Sequence, residues 1–467
     1  MADQAPGRAN PQAPTQANPQ ARDLLAYIDA SPSPFHAVEE TSRRLEAAGF
    51  VRVEERDAWQ LEPGARAYLV RDGGSIAAFE IGTSPPEDVG VRLIGAHTDS
   101  PTLRIKPQPE VVREGYRQLA VEVYGGALYS TWLDRDLSIA GRVVLQGEGA
   151  AVNSQLVRLD DLLIRVPNLA IHLNRGVNDS LQLNAQQHLV PVVGLGDRAG
   201  FALRERIAST LLRQRTEEPR AATLARGLAH EGGAELLPER VLGWDLSLFA
   251  VEPSRIGGLA DEFLFAPRLD NLSSCHAALT ALIESTGPRA QTRAIVLFDH
   301  EEVGSQSARG AGSLMLRSLL SRVLEVFGPA SETRLTRTVA RSFLISGDMA
   351  HGVHPNYADR HEPGHRPLLG QGPVIKLNSN QGYGTDGETW ALIEQLAASV
   401  ASRVQRFVVR SDLGCGSTIG PISAARLGIR TVDIGTPMLS MHSAREMAAV
   451  ADVEPMIRLL RAFLSAA

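Results

Sequence analysis

Two adjacent glutamates, Glu301 and Glu302, carry the most informative chemistry in this chain. They follow the apolar run 294–298 within the phrase FDHEEVGS. One carboxylate could transfer protons as a general base, while its neighbour could bind a metal ion. The pair therefore predicts acid–base chemistry beside a metal site.

Four other segments also place a potential metal ligand after a short apolar run. These ligands are His97 and Asp99 in IGAHTDSP, Asp270 in APRLDNL, Asp348 in LISGDMAHGVHP and His442 in MLSMHSAREM. Imidazole and carboxylate ligands without thiolates suit Zn, Co or Mn. One carboxylate can bridge two ions about 3.5–4 Å apart. We predict that Asp270 is this bridging ligand. Together the residues predict a hydrolase with two metal ions.

Each of these residues has a simpler interpretation when it is considered alone. Asp270 could cap the helix that follows it, since aspartate accepts hydrogen bonds from free helical amides. The glutamate pair could be acidic surface residues, Asp348 could end a strand in a turn, and His442 could begin a helix. His97 could be a hydrogen-bonded loop residue. Their joint occurrence after apolar runs favours the metal site.

The apolar pattern places most of these residues just past predicted strands. Ligands in open α/β sheets collect at the carboxyl ends of strands, so the pattern brings the side chains together. Predicted strands end near residues 96, 298, 346 and 434, and predicted helices cover 314–327, 388–400 and the segment after Asp270.

The predicted architecture is one α/β catalytic domain interrupted by a β-rich insertion. Residues 1–22 are rich in Ala, Pro and Gln and predict a disordered N-terminal arm. The first part of the catalytic domain covers 23–106 and the second part covers 252–467. The insertion covers 107–251, where short alternating runs predominate, with one predicted helix around 198–214.

Composition argues against nucleic-acid and membrane proteins. The 467 residues are 43% hydrophobic and 21% charged, close to the average for soluble proteins. A formal net charge of −6 without a long basic run does not favour nucleic-acid binding. No stretch reaches the ~18 apolar residues that a membrane-spanning helix needs.

Cysteine content and the N-terminal sequence predict a cytoplasmic protein. The two cysteines, Cys275 and Cys415, are far apart and have no Cys-x-x-Cys spacing, so neither a disulfide framework nor a thiolate zinc site is indicated. Residues 1–22 lack the continuous apolar core of a secretory signal peptide.

Seven phrases together resemble the aspartyl aminopeptidase family, dizinc exopeptidases that remove N-terminal residues from peptides. The resemblance extends from about Ser31 through the last helix. It implies a mixed-sheet catalytic domain of the zinc-exopeptidase type, interrupted by a β-rich dimerisation domain. The phrases are GAHTDSPTLRIKP, RLDNL, DHEEVGS, SGDMAHGVHPNY, GPVIKLNSNQ, CGSTIGP and MHSAREM.

The resemblance also implies a ligand set for two divalent ions, with zinc favoured and cobalt or manganese as alternatives. His97, Asp270 and Asp348 would hold the ion at the first metal position. Asp270, Glu302 and His442 would hold the ion at the second metal position. Asp270 would bridge the two ions.

Three further roles follow from the same resemblance. Glu301 would act as general base on a metal-bound water, and Asp99 would orient the ring of His97. His172 would enter the active site of a neighbouring subunit and stabilise the tetrahedral oxyanion, within a dodecamer built from dimers. Without the resemblance, His172 would be interpreted as a solvent-facing residue of an alternating strand.

The specificity pocket is implied by residues in matching segments. Lys376 would favour peptides with an N-terminal Asp or Glu, although by itself it could be an ordinary edge-strand lysine. His351, His354 and Tyr383 could line the same pocket. The chain has Gly382 where many relatives have arginine. An aminopeptidase of neutral, Leu-type specificity is therefore the alternative.

Two more distant alternatives use a related fold. A dimetal deacylase or carboxypeptidase would recognise a free carboxylate rather than a free amine. A noncatalytic scaffold would keep the fold and the assembly without needing the ligands. The intact set of ligands and Glu301 argues against the scaffold.

Overall fold

The computed structural model describes residues 18–196, 203–217 and 237–466. The described α-helices are Pro19–Ala30 (α1), Pro34–Ala47 (α2), Pro86–Val89 (α3), Ala185–His188 (α4), Leu203–Glu217 (α5), Leu269–Glu284 (α6), Met315–Glu325 (α7), Glu332–Arg341 (α8), Gly387–Ser399 (α9), Ile419–Leu427 (α10) and Val453–Ser465 (α11). The described strands are Val51–Arg52 (β1), Arg66–Arg71 (β2), Ser75–Glu80 (β3), Val91–His97 (β4), Thr102–Arg113 (β5), Tyr116–Tyr124 (β6), Leu137–Gln146 (β7), Val152–Arg158 (β8), Val192–Leu195 (β9), Val241–Ala250 (β10), Arg255–Gly257 (β11), Phe263–Ala266 (β12), Thr292–Phe298 (β13), Phe343–Gly347 (β14), Ala350–His351 (β15), Val374–Leu377 (β16), Gln405–Val408 (β17), Arg430–Gly435 (β18), Pro437–Leu439 (β19) and Glu446–Ala449 (β20).

A nine-stranded mixed sheet forms the centre of the molecule, in the order β1-β2-β3-β13-β4-β14-β18-β16-β17. Strands β13, β4, β14 and β18 are parallel neighbours. Every residue of β13 is buried, as expected for an apolar run covered on both faces. This sheet confirms the predicted mixed α/β architecture and gives four strands a shared carboxyl edge.

Helices cover both faces of the nine-stranded sheet. Apolar residues of α1, α2, α6 and α11 form one core with the strands. Residues of α7, α8 and α10 form a second core on the opposite face. The central strands are therefore screened from water on both sides, which makes their ends a rigid support for a site.

A six-stranded antiparallel sheet interrupts this arrangement, in the order β8-β7-β10-β5-β6-β9. It has its own apolar core and begins at Thr102, five residues before the predicted boundary at 107, because β5 starts directly after the Asp99 loop. The helix predicted around 198–214 corresponds to α5, which the structure describes from Leu203, and residues 198–202 lie outside the described residues.

The first helix includes residues of the disordered arm predicted at 1–22. Residues 1–17 lie outside the described residues, but α1 begins at Pro19. The side chain of Asn18 accepts hydrogen bonds from the amides of Gln20 and Ala21, and proline is tolerated in the first helical turn. Residues 19–22 are therefore helical.

A third, five-stranded sheet has the order β11-β12-β20-β19-β15 and was not predicted. Its strands are only two to four residues long, too short for a clear periodic signal. Strand β12 leads into α6, and the loop from β19 to β20 carries His442. This sheet positions the two ligand candidates that do not follow strands of the central sheet.

Candidate metal centre

Three parallel strands deliver the first group of candidate ligands. His97 ends β4, Glu301 and Glu302 follow β13, and Asp348 follows β14. Phe298 at the end of β13 is paired with His97. Because the strands run in parallel, their carboxyl ends meet at one edge of the sheet, as predicted from the sequence.

Asp270 lies between two imidazole rings. Its Oδ1 atom is 3.5 Å from His97 Nε2, and its Oδ2 atom is 3.5 Å from His442 Nε2. Asp348 Oδ1 is 3.6 Å from His97 Nε2, and Glu302 Oε2 is 3.4 Å from His442 Nε2. The five side chains therefore form two adjacent groups that share Asp270.

The spacing of these atoms suits metal coordination. Two ligand atoms bound to one tetrahedral zinc ion lie about 3.3 Å apart, given bonds of about 2.0–2.1 Å. Asp270 Oδ1 and Glu302 Oε1 are buried and accept no hydrogen bond from the described residues. Buried carboxylate oxygens usually have a partner. A bound divalent cation would provide a partner for both carboxylate oxygens.

The electrostatics of the protein groups point to the same conclusion. Burial raises the pKa of Glu301 to about 8. Burial, with the neighbouring Asp270, raises the pKa of Glu302 well above its usual value. Burial alone would lower the pKa of His97, but Glu301, Asp270 and Asp348 raise it well above normal. These pKa shifts reflect the crowding of several buried carboxyl groups, and a bound cation would favour their ionised forms.

The carboxylate of Asp99 supports the turn that carries the glutamate pair. It accepts hydrogen bonds from the amides of Glu301 and Glu302, both at 3.1 Å, and from the Tyr124 hydroxyl at 2.6 Å. His97 Nδ1 lies 3.0 Å from the Asp99 carbonyl and 3.4 Å from its carboxylate. Asp99 therefore contacts both His97 and the glutamate turn, whereas the sequence predicted a contact with His97 alone.

Two glycines of the insertion form part of the wall, and sequence reasoning missed them. A Cβ atom on Gly125 would lie 3.0 Å from Glu302 Cβ, and one on Gly126 would lie 3.1 Å from His442 Nδ1. The Gly126 carbonyl is 3.1 Å from the same ring nitrogen. The pair Gly125-Gly126 and its position after a strand could have suggested such a close backbone approach.

The simpler interpretations of Asp270, the glutamate pair and His442 do not match the geometry. The Asp270 carboxylate makes no hydrogen bond to helical amides within the described chain, so it does not cap α6. Glu301 and Glu302 have side chains only 14% and 5% exposed, unlike a surface pair. His442 lies in a turn between two strands and begins no helix.

Lys376 is a buried residue rather than an edge-strand lysine. Strand β16 lies between β18 and β17, and Lys376 is 2% exposed. Its ammonium is 3.3 Å from Asp348 Oδ2, donates to the Met349 carbonyl at 3.1 Å and lies 5.1 Å from the centre of the Tyr383 ring. Lys376 and Tyr383 therefore adjoin a candidate ligand.

The three histidines predicted to contact substrate have different surroundings. The His351 ring packs against Phe407, with centroids 5.5 Å apart. The His354 amide donates to His361 Nε2 at 3.1 Å. His172 lies in the 3₁₀ turn Ile171–Leu173, so the strand interpretation is wrong. Within the described chain, neither His354 nor His172 makes a hydrogen bond or ion pair with a candidate ligand.

Comparison with known proteins identifies the family. The family described as "Aminopeptidase I zinc metalloprotease (M18)" matches residues 27–464. The chain belongs to the M18 aminopeptidase family. A probable M18 family aminopeptidase 2 of Ectopseudomonas mendocina is 48% identical over 442 residues, covering 95% of this chain and 97% of the relative. This confirms the predicted resemblance and identifies a zinc metalloprotease.

Solved structures of M18 relatives share the fold. The structure of the Ape4 and Nbr1 complex matches with a TM-score of 0.87 and 38% identity, covering 95% of this chain and 85% of that chain. The S. cerevisiae mApe1 dodecamer matches with a TM-score of 0.78 and 29% identity, covering 96% of each chain. Membership of this aminopeptidase family favours an enzyme over the scaffold and deacylase alternatives.

Proposed function

We propose that this M18 aminopeptidase uses two divalent ions, zinc by preference, to remove N-terminal residues from peptides. The shared position of Asp270, with each carboxylate oxygen 3.5 Å from a different imidazole, carries the proposal. The first metal position is formed by His97, Asp270 and Asp348, and the second by Asp270, Glu302 and His442.

Glu301 is the proposed general base. Its Oε2 atom lies 3.9 Å from His97 Nε2, beside the ligand cluster and in the same turn as Glu302. The two ions, when bound, supply polarisation of the peptide carbonyl and lower the pKa of the attacking water. Glu301 would take a proton from the attacking water and later donate it to the leaving amine. The Asp99 carboxylate accepts a hydrogen bond from the Glu301 amide and would hold this backbone in place.

The proposed substrates are peptides with an acidic N-terminal residue. The ammonium of Lys376 has three N–H donors, and its described partners, the Met349 carbonyl and Asp348, account for two. A third donor beside the metal centre could bind a substrate carboxylate. Burial strengthens such a charged interaction.

A neutral preference is the second candidate. Lys376 is already paired with Asp348, and the neighbouring Tyr383 packs near Phe407 in an apolar cluster. A Cβ atom on Gly382 would lie 2.9 Å from the Gly416 carbonyl, so this loop has no space for the arginine of many relatives without moving. These observations reduce the positive charge available to an acidic side chain.

A panel of peptides with N-terminal Asp, Glu, Leu, Ala or Lys, each with a free or acetylated amine, tests both candidates. We expect metal-dependent release of Asp and Glu from free amines only, and loss of the acidic preference in Lys376→Met. Preferential release of Leu would keep the aminopeptidase mechanism but replace the acidic pocket with the neutral one. Turnover of acetylated peptides would contradict recognition of a free amine.

A dodecamer built from dimers is the proposed assembly. The mApe1 relative is described as a dodecamer. In this chain, exposed apolar residues lie in and beside the 3₁₀ turn that contains His172: Leu169 is 57%, Ile171 45% and Leu173 75% exposed. Exposed apolar residues in such a cluster are typical of a surface that contacts another protein. His172 would enter a neighbouring active site from this turn.

His172→Phe should preserve the assembly and lower kcat by about 10²- to 10³-fold, the usual effect of removing an oxyanion donor. Light scattering would report the assembly and steady-state kinetics the activity. His188→Phe, which changes another exposed histidine of the insertion, is the control and should retain activity. Normal kcat in an intact His172→Phe assembly would contradict the proposed role.

Mixed assemblies test whether His172 acts across subunits. A His172→Phe chain retains Glu301, and a Glu301→Gln chain retains His172, so each variant lacks one half of the site. Co-assembly of the two impaired variants should restore part of the activity. No recovery in verified mixed assemblies would contradict action in a neighbouring subunit.

A cytoplasmic location remains part of the proposal. Cys275 and Cys415 are both free thiols, as expected in a reducing compartment. Among the helices described by the structure, none combines the length and the apolar character needed to cross a membrane.

A further inference from the structure

A buried carboxylate outside the ligand set connects two of its members. Glu446 is the first residue of β20 and is 2% exposed. Its Oε1 atom accepts a hydrogen bond from the His442 amide at 2.7 Å, and its Oε2 atom accepts one from the Asp270 amide at 3.1 Å. One side chain therefore joins the start of α6 to the loop between β19 and β20.

The register of the third sheet explains this geometry. Glu446 is paired with Ala266 on the antiparallel strand β12. The chain continues from Ala266 to Asp270, while His442 precedes Glu446 by one turn. Glu446 thus lies where both ligand-bearing segments leave the sheet.

We propose that Glu446 is a positioning residue that sets the separation of Asp270 and His442 and thereby determines binding at the second metal position. The inference rests on the proposed two-metal centre. Metal–ligand distances vary by only about 0.2 Å, so a small displacement of either backbone would misplace a ligand atom. The first position also uses His97 and Asp348, which have no hydrogen bond to Glu446 among the described residues.

Glu446→Gln keeps the size of the side chain and changes one acceptor into a donor. A carboxylate accepts through both oxygens, whereas the amide nitrogen would face a backbone N–H group. We expect zinc to bind about 10- to 100-fold more weakly at the second position, the range for residues that support metal ligands. Affinity at the first position should change much less. Zinc titration of the full-length, metal-depleted protein against a chromophoric chelator measures both affinities.

Glu262→Gln is the matched control. Glu262 immediately precedes β12, is exposed and accepts a hydrogen bond from the Ala260 amide at 2.8 Å. It should leave both zinc affinities unchanged. General damage to the fold would weaken the binding of both ions and lower the melting temperature of the metal-depleted protein. If Glu446→Gln lowers the affinity for both ions equally, or lowers neither affinity, the proposed role is overturned.

A second variant covers the case in which Glu446→Gln is not recovered as folded protein. Glu446→Asp keeps the carboxyl group, but its shorter side chain cannot reach both amides in their present positions. This variant should selectively weaken binding of the ion at the second position. Unchanged affinity at that position would overturn the role of Glu446. A wild-type chain that binds a single ion would instead overturn the two-metal proposal and this one together.

Discussion

Glu301→Gln should retain both metal ions and lower kcat by about 10²- to 10⁴-fold, the usual contribution of a general base. The amide is almost the same size as the carboxylate, and the hydrogen bond to Asp99 uses the backbone amide, which the substitution keeps. KM should change little, because proton transfer rather than substrate binding is lost. Elemental analysis of the purified protein and steady-state kinetics measure the two effects.

Glu302→Gln provides a stringent comparison, because it makes the same chemical change at the adjacent residue. Glu302 Oε2 is 3.4 Å from His442 Nε2, so this variant should lose the ion at the second position. The two variants are thus expected to separate catalysis from metal binding. Loss of metal from Glu301→Gln would reassign Glu301 as a ligand.

Asp270→Asn should lose high-affinity binding of both ions. A neutral carboxamide retains one oxygen acceptor and replaces the other with an amide nitrogen, so it cannot bridge two cations. Activity should fall by more than about 100-fold, the upper range for residues that merely support ligands. Zinc at 100 times its Kd should stabilise the wild type by about 2.7 kcal/mol against unfolding. The variant should show little of that stabilisation.

Thermal unfolding with and without zinc, combined with elemental analysis, checks the Asp270 prediction. Asp57→Asn makes the same substitution at an exposed position and should behave like the wild type. Two tightly bound ions in Asp270→Asn would show that Asp270 is not the bridge. If one ion is retained with normal affinity, Asp270 is a ligand only at the position that has lost its ion.

The residues at the strand ends could be predicted from the sequence. His97, Asp348 and the glutamate pair each follow an apolar run, and parallel strands bring such ends to one edge of the sheet. The M18 family resemblance was carried by phrases that include these residues. Their roles as ligands and base remain predictions for the experiments above.

Other features depend on contacts between distant segments, which a periodic pattern does not report. Glu446 contacts the Asp270 amide from 176 positions away. The ion pair between Lys376 and Asp348 requires β16 to pair with β18, and those strands are also far apart in sequence. Burial, rather than residue type, distinguishes these two charged side chains from surface residues.

The distribution of the candidate ligands along the chain has a consequence during protein synthesis. His97 emerges from the ribosome early, whereas His442 emerges only with the third sheet, tens of seconds later at roughly 5–20 residues per second. A nascent chain that has not yet reached His442 lacks one proposed ligand of the second metal position. On the proposed ligand assignment, peptidase activity would therefore be absent until nearly the whole chain has been made.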